Sequence, residues 1–79
     1  MEKTLKKEDF VKTCLDLASD IVKLPLDHMW IDYDKEADVL YLSFRKPQRA
    51  TKTIETDDIL IRKEGHKIVG ITILNASSR

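Results

Sequence analysis

The sequence has one cysteine and two histidines, and this scarcity excludes several ways of stabilising a small protein. Cys14 has no second thiol with which to form an intrachain disulfide. Together with His28 and His66 it makes a poor ligand set for a structural zinc ion, which normally takes four ligands. We therefore interpret Cys14 as a small buried hydrophobic residue and expect a reducing, intracellular compartment.

Long apolar runs are also absent, and no segment approaches the roughly 20 apolar residues of a membrane span. The N-terminus is charged, and no apolar run of signal-peptide length follows it. With Gly65 and Gly70 as the only glycines, a glycine-rich phosphate loop is missing. These absences predict a cytoplasmic protein that does not enter a membrane.

Net charge is missing too, because 14 basic and 14 acidic residues balance to zero. This balance argues against nucleic-acid binding driven by overall charge. The distribution is uneven, since residues 25–44 carry a net charge of −4 and residues 45–54 a net charge of +4. Such blocks pair within or between chains, but a solvated surface is their commoner use.

An amphipathic helix is the first element that the sequence does contain. Apolar residues recur at helical spacing, and this pattern predicts a helix over residues 7–24. Pro25 cannot extend that helix and disfavours the helical conformation for the residue before it. The stripe consists of Phe10, Cys14, Leu17, Ile21 and Leu24.

Strand patterns follow the helix, rich in β-branched and aromatic residues. Asp34 is suited to cap a turn at 34–38, and Gly65 supplies a positive φ for a hairpin turn. The predicted fold class is α+β, with one N-terminal amphipathic helix followed by a four- or five-stranded antiparallel meander, in a single domain spanning residues 1–79. The predicted strands are 29–33, 39–44, a short edge strand within 50–56, 59–63 and 68–74.

The predicted strands carry more apolar surface than one helix covers. Side chains alternate across a strand, so Leu40, Leu42 and Phe44 share one face with Ile71 and Ile73. We expect the helix to pack on that face. One helix about 10 Å across covers about half of a sheet of four strands spaced about 4.8 Å apart. The apolar surface that the helix leaves uncovered predicts self-association as a homodimer or higher homo-oligomer.

Acidic residues alternate through the turn between the first two strands, at Asp32, Asp34, Glu36 and Asp38. Their spacing is similar to that of a calcium loop, but an alanine stands where such a loop needs glycine, and Ser43 stands where it needs a bidentate glutamate. We interpret these acids as turn-forming and solubilising residues. No metal, cofactor-binding or catalytic residue is predicted.

The basic segment, residues 45–52, contains four cations and is the best candidate for a contact with phosphates. These cations are Arg45, Lys46, Arg49 and Lys52. It lacks a recognition helix and an aromatic stacking pair, so nucleic-acid binding is not the leading prediction. His28 and His66 have no partner in a recognisable catalytic motif, and surface positions are expected for both. Gly70 inside a strand predicts a bulge or a place where an aromatic ring or another backbone approaches closely.

Two motifs stand about thirty residues apart in the strand region, Tyr33-Asp34-x-Glu36-Ala37-Asp38-x-Leu40-Tyr41 and Gly70-Ile-x-Ile73-Leu74-x-Ala76-Ser77. Together they resemble the "domain of unknown function 2283" family of small prokaryotic proteins, over residues 29–78. The resemblance implies a compact β-rich domain without an assigned catalytic centre, and it suggests an antitoxin-like or regulatory partner protein. Helix 7–24 lies outside the shared region.

The sequence therefore predicts a non-enzymatic, self-associating interaction module that takes no cofactor and has a protein as its most plausible further partner. Two alternatives stay open. One is a small-molecule or divalent-metal binding protein that uses the acidic turn with Tyr33 or Tyr41. The other is a weak nucleic-acid contact through the basic segment 45–52.

Overall fold

The computed structural model describes residues 6–79; residues 1–5, where the charged N-terminus begins, lie outside the described range. The α+β prediction is confirmed within that range, and the helix ends three residues earlier than predicted. No helix among the described residues is long and apolar enough to cross a membrane. The elements are α1 (Lys7–Ile21), β1 (Trp30–Asp34), β2 (Val39–Ser43), β3 (Lys52–Thr56), β4 (Ile59–Glu64), β5 (Lys67–Leu74) and a 3₁₀ turn (Ala76–Ser78).

The five strands form one antiparallel sheet in the order β1-β2-β5-β4-β3. A meander would follow the chain order, and the observed order differs because β2 pairs with β5 instead of β3. The last four strands thus have the order of a Greek key. β5 is the longest and most apolar strand and takes the centre, whereas β3, with Lys52 and Glu55, takes an edge as predicted.

A crossing segment, residues 44–51, carries the chain from β2 to the far edge. Gln48 in this segment donates a hydrogen bond from Nε2 to Ser43 Oγ at 2.8 Å. A Cβ atom at residue 70 would overlap the Gln48 side-chain amide, so glycine leaves room for that amide to lie against the strand. The register between β4 and β5 also shifts beside Gly70, at Arg62 and Lys63. The predicted bulge is confirmed, whereas the group that approaches Gly70 closely is the Gln48 side-chain amide and not an aromatic ring or another backbone.

The strand register aligns apolar side chains into two rows across the whole sheet, as the alternation in the sequence predicts. We call the surface that these rows form the apolar face, and the other side of the sheet the opposite face. One row is Ile31, Leu42, Ile71, Ile61 and Ile54; the next is Tyr33, Leu40, Ile73, Ile59 and Thr56.

The helix does not cover the apolar face, and here the expectation from sequence is wrong. No residue of α1 is buried, and Phe10 and Leu15 are 59% and 65% exposed. Cys14 is exposed as well, which corrects its interpretation as a buried residue. The protomer is correspondingly extended, with dimensions of 42 × 28 × 22 Å and a radius of gyration of 14.2 Å against about 12 Å for a compact chain of this length.

Candidate interaction surface

The apolar face is the largest unpartnered feature of the protomer. No side chain in its two rows is buried, although the rows run through the central strands of the sheet. At the two edges of the first row, Ile31 is 49% exposed and Ile54 is 37% exposed. Tyr33, at the edge of the second row, is 46% exposed. A continuous apolar surface of this kind usually marks an interaction site.

The segment that follows α1 explains why the helix lies away from the sheet. Leu24 and Leu26 line a cavity of about 400 Å³ together with Phe44, Ile68 and Val69. Val69 is the most buried side chain of the described residues, at 1% exposure. The segment therefore closes one end of the sheet, where β5 begins. Turn hydrogen bonds, including Leu24 N to Ile21 O at 3.0 Å, fix the exit from the helix.

Two lysines stand beside the first apolar row without an acidic partner. Lys52 and Lys63 are opposite each other on β3 and β4, two residues along from the Ile54–Ile61 pair, so they lie on the apolar face. Neither ammonium group makes an ion pair with any described residue. Like charges directly opposite each other on neighbouring strands are destabilising. An anionic group from outside the protomer would relieve this repulsion.

The acidic turn is held together by its own carboxylates. Asp34 Oδ1 accepts hydrogen bonds from the backbone N–H groups of Glu36 and Ala37, at 3.1 and 3.2 Å, which confirms the predicted cap. Asp38 adopts a left-handed conformation with φ 57°. Its Oδ1 accepts from the Tyr33 hydroxyl at 2.6 Å, and its Oδ2 accepts from the Ser77 hydroxyl at 2.7 Å.

The Asp38 contacts join the two sequence motifs in space. Ser77 also donates its backbone N–H to Asp38 Oδ1 at 3.0 Å, and Ala76 N donates to the Asp38 carbonyl at 3.0 Å. We call this set of bonds the Asp38 clamp. It fastens the 3₁₀ turn after β5 to the turn between β1 and β2. The sequence placed Asp38 in a turn but gave Ser77 no role; the co-occurrence of the two motifs was the signal for it.

The clamp shifts the pKa values of both its titratable groups. The hydrogen bond from Tyr33, and then that from Ser77, lower the pKa of Asp38 below its ordinary value of 3.8. The same bond to Asp38 is the main reason that the pKa of Tyr33 is raised above its ordinary value of 10.0. The clamp's contribution to stability is therefore complete between pH 3.8 and pH 10.0, the ordinary pKa values of the two groups. It is lost as pH falls through the depressed pKa of Asp38, or rises through the elevated pKa of Tyr33.

We expect Asp38→Asn to lower the melting temperature at neutral pH. Asparagine tolerates the left-handed backbone, so the substitution removes the charge and one acceptor without straining the turn. In the wild type the clamp's contribution begins to fall below pH 3.8 and is lost as pH drops through the depressed pKa of Asp38, so the gap between the two melting curves narrows and then closes in acid. Thermal unfolding followed by circular dichroism between neutral pH and acid measures both effects.

Asp34→Asn is the matched control in the same turn. An asparagine at position 34 still offers a carbonyl oxygen to the two backbone N–H groups, so a smaller loss is expected. Equal losses of melting temperature in the two variants would contradict the role assigned to the clamp. A difference in melting temperature between Asp38→Asn and the wild type that persists in acid would also contradict it.

The described carboxylates of the acidic turn are not grouped as ligands of a metal ion. Among residues 6–79 no group of three or more His, Cys, Asp and Glu side chains is arranged to hold a metal ion. Tyr33 and Tyr41 lie on opposite faces of the sheet, because Tyr33 is opposite Leu40 whereas Tyr41 is opposite Asp32. The two tyrosines therefore cannot act together beside the turn. Two of its carboxylates, those of Asp34 and Asp38, are already engaged as acceptors within the chain.

The basic segment is divided among separate local contacts instead of forming one patch. Arg45 forms an ion pair with Glu64 at 2.7 Å and donates to the Gln48 carbonyl at 3.1 Å. The Lys46 ammonium lies 5.6 Å from the centre of the Trp30 ring. Lys52 lies on the apolar face, away from both. This dispersal weakens the case for a phosphate contact through the segment.

The two histidines do not meet. His28 lies beside Trp30, with ring centres 6.1 Å apart, whereas His66 lies in the turn between β4 and β5. Asp57 and Asp58 form the predicted turn, both with positive φ, at 44° and 65°.

A second cavity, of about 410 Å³, lies beside the Asp57–Asp58 turn. Its side chains satisfy one another, since Asn75 Nδ2 donates to Asp58 at 3.1 Å and Arg79 donates to the Asp57 carbonyl at 2.9 Å. We interpret these contacts as a structural tie between the end of the chain and the turn that precedes β4.

Comparison with known proteins gives a family and no activity. Residues 30–77 match the family model described as "Protein of unknown function (DUF2283)". The chain is 50% identical over 48 residues to an uncharacterised protein of Methanocaldococcus jannaschii, a match that covers 60% of this chain and 40% of that protein. The chain thus spans well under half the length of the curated relative. No solved structure matches it.

The chain belongs to this family of proteins of unknown function, because the family model covers more than half of its length. The matched residues run from the first residue of β1 to Ser77 of the Asp38 clamp. They include the sheet and its apolar face, whereas α1 lies outside them. The part of the chain that the family model matches is therefore the part that forms the sheet and the clamp.

Proposed function

We propose that this chain is a non-enzymatic interaction module that self-associates through its apolar face. The observation that supports the proposal is the pair of apolar rows that cross all five strands without a covering layer. An antiparallel sheet is stable with one face in water only when that face is polar. Here the uncovered face is the more apolar one, and an assembly that covers it removes apolar surface from water.

The accessible area of the protomer supports the same proposal. The protomer exposes 6698 Å², whereas a compact monomer of 9.2 kDa exposes about 4,900 Å². The excess is about 1,800 Å². Even if residues 1–5 were fully accessible, they would contribute at most about 900 Å² of it. The remaining area equals or exceeds the roughly 800 Å² per partner that stable interfaces bury.

The features that remain give no support to a catalytic role. Asp34 and Asp38 of the acidic turn accept hydrogen bonds from backbone N–H groups, and the two histidines lie apart. No feature of the described residues favours either of the alternatives based on the acidic turn and the basic segment. An antitoxin-like or regulatory role stays a prediction of the sequence resemblance.

The two tyrosines provide a matched test of which face is covered. Tyr33 on the apolar face and Tyr41 on the opposite face are 46% and 44% exposed in the protomer. Hydroxyl-radical oxidation of each ring can be followed by mass spectrometry while the protein concentration is raised. We expect Tyr33 to become protected as the protein associates and Tyr41 to stay equally reactive. Protection of Tyr41 alone, or of neither ring in an associated sample, would contradict the proposal.

A further inference from the structure

We propose that the occupant of the apolar face is α1 of a second copy, docked reciprocally in a two-fold dimer. This inference rests on the self-association proposed above and specifies its geometry. It starts from the second unpartnered apolar surface of the protomer, the helix stripe, which consists of Phe10, Cys14, Leu17 and Ile21. Phe10, Cys14 and Leu17 are exposed, Phe10 at 59% and Leu17 at 46%, and Ile21 is half-buried.

The helix stripe and the apolar face have matching dimensions. α1 has 15 residues and is therefore about 22 Å long. Five strands spaced about 4.8 Å apart make a sheet about 19 Å wide between its outer strands. A helix laid across the strands would follow a row of apolar side chains from Ile31 on one edge to Ile54 on the other.

The charges of the two surfaces are also complementary. α1 carries Lys7 and Lys12 together with four acids, which gives it a net charge of −2. The apolar face carries Lys52 and Lys63, which repel each other and have no acidic partner among the described residues. Two of the four acids, Asp16 and Asp20, already pair with Lys12 and Lys23 of the same copy. Glu8 and Asp9, in the first turn of α1, are the acids that a docked helix would bring towards Lys52 and Lys63 to offset that repulsion.

A second copy is favoured over the protomer's own helix by the segment that leads out of α1. Leu24 and Leu26 line the cavity at the end of the sheet, and the turn bonds there direct α1 away from the protomer. Reciprocal docking covers both apolar surfaces in both copies with one symmetric contact. Packing two apolar faces directly together would leave both helix stripes in water.

A pair of helix variants distinguishes reciprocal helix docking from direct packing of two apolar faces. Leu17→Asp places a charge in the helix stripe, whereas Ser19→Asp places the same charge on the other side of α1. We expect Leu17→Asp to raise the dissociation constant about tenfold or more and Ser19→Asp to leave it nearly unchanged. Equal dissociation constants for Leu17→Asp and the wild type would overturn helix docking.

Directed disulfide formation tests the contact itself. The wild-type protein, whose only thiol is Cys14, is mixed with a Cys14→Ser protein that also carries Ile61→Cys, and the mixture is oxidised. We expect a mixed disulfide between the two proteins, identified by mass spectrometry of the joined peptides. Tyr41→Cys in the same Cys14→Ser protein is the control, and it places the thiol on the opposite face, where no cross-link above background is expected.

The other outcomes are distinguishable. An associated protein without the mixed disulfide, tested with thiols introduced at Ile31, Ile54 and Ile61, would overturn helix docking and leave self-association standing. An intramolecular disulfide at high dilution, in a chain with Cys14 and Ile61→Cys, would show that the helix covers its own sheet. Absence of any association by sedimentation would overturn the proposed function together with this inference.

Discussion

Replacing Ile71 by aspartate is expected to unfold the domain. Ile71 lies in the central strand, between Leu42 on β2 and Ile61 on β4, so the carboxylate has an apolar neighbour on each side. Ile71 is half-buried, so the substitution removes apolar contact and partly desolvates a charge, at a cost of about 3–5 kcal/mol. A domain of this size has about that much stability in total. Urea unfolding followed by circular dichroism should show no folded baseline for the variant.

Thr53→Asp is the matched control, because it adds the same charge to the edge strand β3. Thr53 is exposed and lies opposite Arg62, so an aspartate there stays hydrated and gains a neighbour of opposite charge. We expect its unfolding free energy to change by less than about 1 kcal/mol. Similar damage from Ile71→Asp and Thr53→Asp would mean that the strand order, with β5 central and β3 at the edge, is wrong.

A double substitution at the two ends of one apolar row is expected to dissociate the assembly without unfolding the protomer. Ile31 and Ile54 are 49% and 37% exposed, so glutamates at these positions stay hydrated in the isolated protomer. In the assembly each substitution would remove the apolar contact of an isoleucine and place a carboxylate in the interface. Together these effects should raise the dissociation constant about 100-fold. Sedimentation equilibrium of the Ile31→Glu, Ile54→Glu protein measures the change.

The control for the double substitution adds the same two charges to the opposite face, at Tyr41 and Thr53. Tyr41→Glu with Thr53→Glu should leave the dissociation constant within a few-fold of the wild type, because neither side chain lies in the apolar rows. If this control dissociated the assembly and the Ile31→Glu, Ile54→Glu protein did not, the interface would lie on the opposite face.

Local features of the sequence were sufficient to predict the elements of the sheet and their relative exposure. Alternation placed Leu40 and Leu42 on one face with Ile71 and Ile73, and the register confirms that arrangement. The polar composition of residues 50–56 predicted an edge strand, and β3 is at the edge. Each of these predictions depends only on side chains that are near one another along the chain.

The features that local patterns did not predict depend on contacts between distant segments. Strand order was missed because an antiparallel pairing of β2 with β3 or with β5 satisfies the same alternation. The position of α1 was wrong because helical periodicity shows which face is apolar but not which sheet it meets. The Asp38 clamp was missed because Ser77 acts 39 residues from Asp38, across the fold.

The molar mass of the wild-type protein in solution tests the central claim most directly. The claim is that the uncovered apolar rows are an interface between copies of this chain. Sedimentation equilibrium at micromolar concentration should give a mass at least twice the 9.2 kDa of one chain, falling towards one chain on dilution. A single species of 9.2 kDa over the whole concentration range, with the sheet folded, would contradict it.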